Sequence, residues 1–222
     1  MVEVSVVRVF TDPSGEFGND LGIVDAAAVA PPDRQALAAK LGFAETVFVE
    51  PPVDGAATIR IFTPAVELPF AGHPTVGTGW WLNERHLVTA LHVPAGRVDV
   101  QRTDGLTRIR ARVDWAPEFV IVQHPNPADV DALDPAAFSD GHHYHWSWID
   151  EPAGAVRSRM FAPDFGIAED EATGAAAVRL TGLLQRDLTI TQGRGSQIFT
   201  IHDTDGWVRI GGRVVADRTR SA

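Results

Sequence analysis

Three short strings in this chain carry residues able to move a proton or hold an acid. In Phe43-Ala44-Glu45-Thr46-Val47-Phe48-Val49, Glu45 is the single carboxylate of an apolar run. Burial disfavours the charged form and raises a carboxyl pKa towards neutrality, which suits proton transfer. A strand-end glutamate turned to solvent fits the same string. The second string is Gly72-His73-Pro74-Thr75. Proline suits the first helical position, so a helix is predicted to start at Pro74 with His73 at its cap. Such an end presents unpaired N–H groups and a positive dipole to an anion. His73 fits an acid, a base, a ligand contact or a structural cap. The third string is Glu169-Asp170-Glu171-Ala172-Thr173-Gly174-Ala175, where Asp170 precedes a small-residue helix. Aspartate is a common N-cap, and capping is the role that position alone supports.

Other chemistry is less well supplied. In His142-His143-Tyr144-His145, imidazoles two apart on a strand share a face, as zinc ligands can. No further ligand stands at a recognisable spacing, so an aromatic sheet or subunit surface is expected there, and no metal. Phe17-Gly18-Asn19 is half of a glycine-rich nucleotide loop without the rest of the fingerprint, and no cofactor is expected. The absence of cysteine removes disulfides, thiolate metal sites and any paired-thiol racemase mechanism. A net charge of −10 argues against a nucleic-acid partner; Arg108, Arg110 and Arg112 alternate as a solvated strand face. No run reaches the about 18 apolar residues of a membrane span, and residues 1–10 alternate as a strand. A cytoplasmic protein is the expectation.

The elements that must position these residues follow from period and punctuation. Strands are predicted over residues 2–10, 17–24, 43–49 and 57–62, and a helix from Pro31-Pro32-Asp33 to a stop at Gly42. The run 76–82 is uncharged and mixes Gly77, Thr78 and Gly79 with Trp80 and Trp81, as a helix buried all round would. Its two glycines cost about 1 kcal/mol each in helix propensity, so close approach of other backbone is expected around it. Short strands at 91–93, 96–101 and 107–113 form an antiparallel meander. Residues 117–122, 144–149, 155–161, 188–191, 197–201 and 207–215 add strands, with short helical structure near 130–133 and an apolar helix over 175–184.

A weak repeat links the two ends of this order. Phe62-Thr63-Pro64 lies 99 residues before Phe161-Ala162-Pro163, and each leads through a loop to a small-residue helix. Laying Gly77 on Gly174 makes the offset 97. The architecture that satisfies this is an α+β fold of two pseudo-symmetric halves, 1–102 and 103–222. Each half is a barrel-like mixed or antiparallel sheet around one central helix. A pseudo-twofold would turn both helix amino ends to one cleft, where N–H groups near Gly72, His73, Thr75, Thr173, Gly174 and Ala175 would hold a carboxylate.

These strings resemble the PhzF-like (phenazine biosynthesis) family, which has the diaminopimelate epimerase fold. The resemblance rests on Val9-Phe10-Thr11-Asp12 through Phe17-Gly18-Asn19, on Ala44-Glu45-Thr46-Val47-Phe48, and on Ile61-Phe62-Thr63-Pro64 through Glu67-Leu68-Pro69-Phe70-Ala71-Gly72-His73-Pro74-Thr75. It continues in Phe161-Ala162-Pro163 through Glu169-Asp170-Glu171-Ala172-Thr173-Gly174, and more weakly in Gln192-Gly193-Arg194-Gly195-Ser196. It implies a cofactor-independent isomerase, often a homodimer, that moves a proton between carbons of a small carboxylate-bearing substrate. Glu45 would be acid and base, with His73 and Asp170 assisting in the pocket. Asn19, Gly72, Pro74, Thr75, Thr173, Gly174 and Ala175 would bind substrate. Three departures stand out. Glu171 replaces a family proline and Ala175 a family serine; Asp20 replaces a proline after Asn19; and the chain is short between Thr103 and Phe161. A catalytically impaired small-acid-binding protein that keeps the cleft is the alternative they raise.

Overall fold

Alternation makes Val4-Ser5-Val6-Val7-Arg8-Val9 a strand buried on both faces, β1 (Glu3–Thr11). Val7 and Val9 join the main core, whereas Val4 and Val6 pack outside with Phe43, Phe48 and Phe62. The computed structural model describes residues 1–222, apart from the side chain of Phe165. Among the described residues, fifteen strands and four α-helices form. In chain order these are β1, β2 (Asn19–Asp25), α1 (Arg34–Leu41), β3 (Glu45–Val49), β4 (Ala56–Phe62), β5 (Glu67–Leu68), α2 (Gly72–Asn83), β6 (Ala90–Val93), β7 (Gly96–Thr103) and β8 (Leu106–Arg112). There follow β9 (Val120–Gln123), α3 (Pro127–Asp131), β10 (His143–Asp150), β11 (Ala155–Ala162), β12 (Ile167–Asp170), α4 (Gly174–Leu184), β13 (Leu188–Gln192), β14 (Ser196–His202) and β15 (Trp207–Ser221).

Strand order closes a ring. β1, β2, β3, β4, β6, β7, β8 and β15 pair in succession, and β15 returns to β1 through Glu3↔Ser221 to Thr11↔Arg213. A closed barrel leaves no sheet edge, and here it surrounds α2. Around α4 the order is β15, β14, β13, β11, β10 and β9. Among the described residues nothing pairs β9 back to β8, so this second barrel stays open. β8 has 7 residues where β15 has 15.

Both central helices bury most of their apolar residues, Leu183 of α4 being exposed. In α2 every residue from Gly72 to Gly79 is buried, and Trp80 and Trp81 are half-buried. Gly77 and Gly79 admit side chains rather than backbone: a Cβ on Gly77 would stand 2.6 Å from Val9 and 2.7 Å from Leu21, and one on Gly79 would stand 3.0 Å from Val100. The helix starts two residues before the expected Pro74. Ala71 is its N-cap, in extended conformation and with no side-chain cap bond, so His73 lies in the first turn. Proline is tolerated anywhere in that turn because its missing N–H would be unpaired there. α1 ends as predicted at Gly42, whose φ of 71° is the left-handed cap that glycine favours. β15 runs six residues past the predicted end at 215, because β1 supplies its partner. No helix among the described residues is long and apolar enough to cross a membrane.

Candidate active site

Glu45 heads β3 on the face it shares with Val47 and Val49, which belongs to the core around α2. Its Oε2 lies 3.3 Å from His73 Nδ1, with side-chain exposures of 18% and 5%. Burial, then the charge of Asp170, raises the Glu45 pKa to about 8. Burial likewise lowers His73 to about 4, against a weaker upward pull from the Asp20 backbone. At neutral pH the imidazole is uncharged, so it gives Glu45 no counter-ion and leaves the carboxyl pKa high.

Asp170 reaches the same place from the other half. It ends β12, paired with Met160, and is not the N-cap of α4; that position belongs to Thr173. Its Oδ1 accepts from Asn19 Nδ2 at 2.6 Å and its Oδ2 from the Thr173 hydroxyl at 2.5 Å. Burial raises its pKa, and the Thr173 and Asn19 hydrogen bonds oppose the rise. Asn19 Nδ2 also donates to the Ala172 carbonyl at 2.8 Å, so one carboxamide crosses from the first half to the second.

The amino ends of α2 and α4 meet backbone to backbone. A Cβ on Gly72 would lie 3.1 Å from Gly174 Cα, and one on Gly174 would lie 3.0 Å from His73 N. A side chain at either glycine would force the facing backbone to give by a few tenths of an ångström. The contact makes Gly72 and Gly174 the counterparts, an offset of 174 − 72 = 102, in place of the expected pairing of Gly77 with Gly174. His73 is then matched by Ala175, so the second helix presents a methyl where the first presents an imidazole. Two of the expected N–H donors are engaged: Thr75 N–H donates to Ala71 O at 3.3 Å, and Thr173 N–H to Gln192 Oε1 at 3.1 Å. The first-turn N–H groups of Gly72, His73, Gly174 and Ala175, which helical geometry leaves without an i−4 partner, remain for an anion. Pro74 contributes none.

Two further residues shape the site. Gln192, fully buried, donates to Asp170 O at 2.9 Å and to Thr173 Oγ1 at 2.8 Å while accepting from Thr173 N. It lay within the weakest of the resembling strings, and nothing local marked its role. Glu171, in the family proline position, accepts from Arg194 N at 3.0 Å and from Ser196 Oγ at 2.8 Å. A surface depression of about 340 Å³ opens beside Asn19 and Ala44, with Arg218 and Arg220 on its rim. It lies outside the enclosed group of Glu45, His73 and Asp170. Among the described residues no group of three or more His, Cys, Asp or Glu side chains is placed to hold a metal ion. His143 and His145 instead pack at tilted angles against Phe138, and His145 Nδ1 lies 2.8 Å from His124 Nε2.

Two barrel-like halves, each around a central helix, with both helix amino ends joined, make this the diaminopimelate epimerase-like fold. Comparison with known proteins narrows this. The phenazine biosynthesis-like protein family matches residues 7–133 and 113–211. The trans-2,3-dihydro-3-hydroxyanthranilate isomerase of Pseudomonas aeruginosa is 32% identical over 203 residues, covering 74% of this chain and 73% of that protein. A Bacillus anthracis phenazine biosynthesis protein of the PhzF family superposes with a TM-score of 0.78 at 21% identity, over 99% of this chain and 98% of its own. A probable proline racemase from Agrobacterium radiobacter shares the fold, with a TM-score of 0.69 at 12% identity over 100% and 93% of the two chains. The chain belongs to the phenazine biosynthesis-like (PhzC/PhzF) family.

Proposed function

We propose that this protein is a cofactor-independent isomerase that moves a proton between two carbons of a small carboxylate-bearing substrate, with Glu45 as acid and base. The observation that carries this is the Glu45 carboxyl itself, enclosed beside an uncharged His73 and poised near pH 8. A group with a pKa near working pH can both take a proton and return it.

The substrate carboxylate sits against the N–H groups of Gly72, His73, Gly174 and Ala175, held by both helix dipoles. Ionised Glu45 takes a proton from one carbon, breaking a C–H bond and forming its own O–H. The electron pair delocalises into the adjoining unsaturated system. The Glu45 O–H, on a side chain 18% exposed, exchanges with solvent and then delivers a proton to a second carbon, so the carboxylate is regenerated and the substrate is isomerised without net gain or loss of atoms. Asp170, held by Asn19 and Thr173, fixes the opposite wall and, through its charge, keeps the Glu45 pKa high. By analogy with the relative from P. aeruginosa, a dihydro-hydroxyanthranilate is the substrate class to try first.

The test is an NMR assay of the wild-type protein with trans-2,3-dihydro-3-hydroxyanthranilate and related unsaturated cyclic acids. Migration of a C–H signal supports the reading. Saturable binding of these acids without migration or exchange contradicts it and favours the catalytically impaired binding protein, which the methyl at Ala175 would suit.

A further inference from the structure

Glu171 lies one residue after Asp170, and its carboxylate is 15% exposed. It accepts from Arg194 N at 3.0 Å and 3.1 Å on its two oxygens, from Arg194 Nε at 3.2 Å, and from Ser196 Oγ at 2.8 Å. Ser196, fully buried, accepts in turn from Gly18 N at 2.9 Å. Gly18 has a φ of 79°, and a Cβ there would lie 2.6 Å from Val9 O, so this backbone position is set by its surroundings. The next residue is Asn19, whose carboxamide reaches back to Asp170. The path closes: Asp170 to Glu171 along the chain, Glu171 to Ser196, Ser196 to Gly18, Gly18 to Asn19 along the chain, and Asn19 to Asp170. It crosses between the halves twice. Neighbouring packing reinforces it, since a Cβ on Gly195 would fall 2.6 Å from the Phe17 ring.

We propose that Glu171 is a positioning residue for the proposed isomerisation, acting through Ser196 and Gly18 to hold Asn19 against Asp170 and so to keep the two halves registered over Glu45. The inference rests on the functional reading above for its kinetic consequence, but not for its structural one. A carboxylate suits this role because it can accept several donors at once, which a proline side chain cannot. Its charge also adds to the burial that raises the Asp170 pKa.

The test compares Glu171→Gln, Glu171→Ala and Ser196→Ala with the wild type by amide hydrogen exchange and by kinetics over a pH range. Faster exchange at Gly18 and Arg194 is expected in both Glu171 variants, and at Gly18 in Ser196→Ala. With a dihydro-hydroxyanthranilate as substrate, kcat falls about 10- to 100-fold with a smaller change in KM, as misplacement of a reacting group would cause. The Asp170 pKa, followed by carboxyl NMR titration, moves down in Glu171→Gln. The double variant Glu171→Gln/Ser196→Ala is no worse than the poorer single. Unchanged Gly18 exchange, or an unchanged kcat and pH profile, overturns the proposal. If Glu171→Ala fails to fold, Ser196→Ala carries the same comparison. A wild type that turns over no acid sinks the isomerase reading, whereas the exchange data still judge the positioning role.

Discussion

Glu45 Oε2 and His73 Nδ1 stand 3.3 Å apart, yet at neutral pH the two form no ion pair. Burial places the carboxyl near 8 and the imidazole near 4, so between these values the proton sits on the glutamate. An ion pair would have moved both pKa values the other way. The neutral pair leaves a proton on a group that releases it within reach of physiological pH.

That arrangement has a signature in stability. Glu45 keeps its proton in the folded state to about pH 8, whereas the unfolded chain loses it near 4.5. The folded state binds more protons across that window, so stability falls with rising pH and levels above about 8. Glu45→Gln is therefore expected to gain stability over the wild type at pH 8.5, by roughly 4–5 kcal/mol, and to match it near pH 4. His73 works in the opposite sense: its folded pKa near 4 lies below 6.5, so its contribution grows as pH rises from 4 to 6.5. Urea unfolding of Glu45→Gln, His73→Gln and the wild type at pH 4, 6 and 8.5 checks both signs.

In the pH–rate profile, kcat/KM reports ionisation of the free enzyme. With Glu45 as the initial base, kcat/KM rises tenfold per pH unit from about 5 and bends near 8. A bend near 4.5 would return Glu45 to an ordinary exposed carboxylate.

The junction of the two helices predicts that Gly72→Ala and Gly174→Ala are each costly. Each added methyl meets backbone within about 3.1 Å, and neither helix end can yield without moving the other. A loss of roughly 1–3 kcal/mol in thermal unfolding is expected, with a larger loss of acid binding measured by calorimetry.

Asn19→Leu removes one of the donors to Asp170 and leaves buried acceptors on Asp170 and Ala172 unpaired. The expected cost is about 1–3 kcal/mol, together with a further rise in the Asp170 pKa, since that hydrogen bond holds it down. Carboxyl titration followed by NMR measures the shift directly.

Local rules were enough for much of this fold. The Pro31 to Gly42 helical segment, the buried helix with its two tryptophans, and the meander of β6, β7 and β8 are all legible from period and punctuation. Glu45 was legible as an isolated carboxylate in an apolar strand, and the family resemblance weighted it further. What escaped was set at long range. The strand predicted to end at 215 runs on through Asp217-Arg218-Thr219-Arg220, because β1, from the other end of the chain, offers its edge. Asp170 reads as a helix cap, but its strand pairing with Met160 and its Asn19 partner assign it elsewhere. Gln192 and Ser196 act through contacts that no local spacing announces.

The central claim, that Glu45 carries the proton, is tested most directly by solvent-deuterium incorporation. Wild type and Glu45→Gln are incubated in deuterium oxide with trans-2,3-dihydro-3-hydroxyanthranilate, and binding of the same acid is measured in parallel. Deuterium entering the isomerised product with wild type, lost by at least about 100-fold in the variant while binding persists, is the predicted result. Equal incorporation by the two proteins would contradict the account.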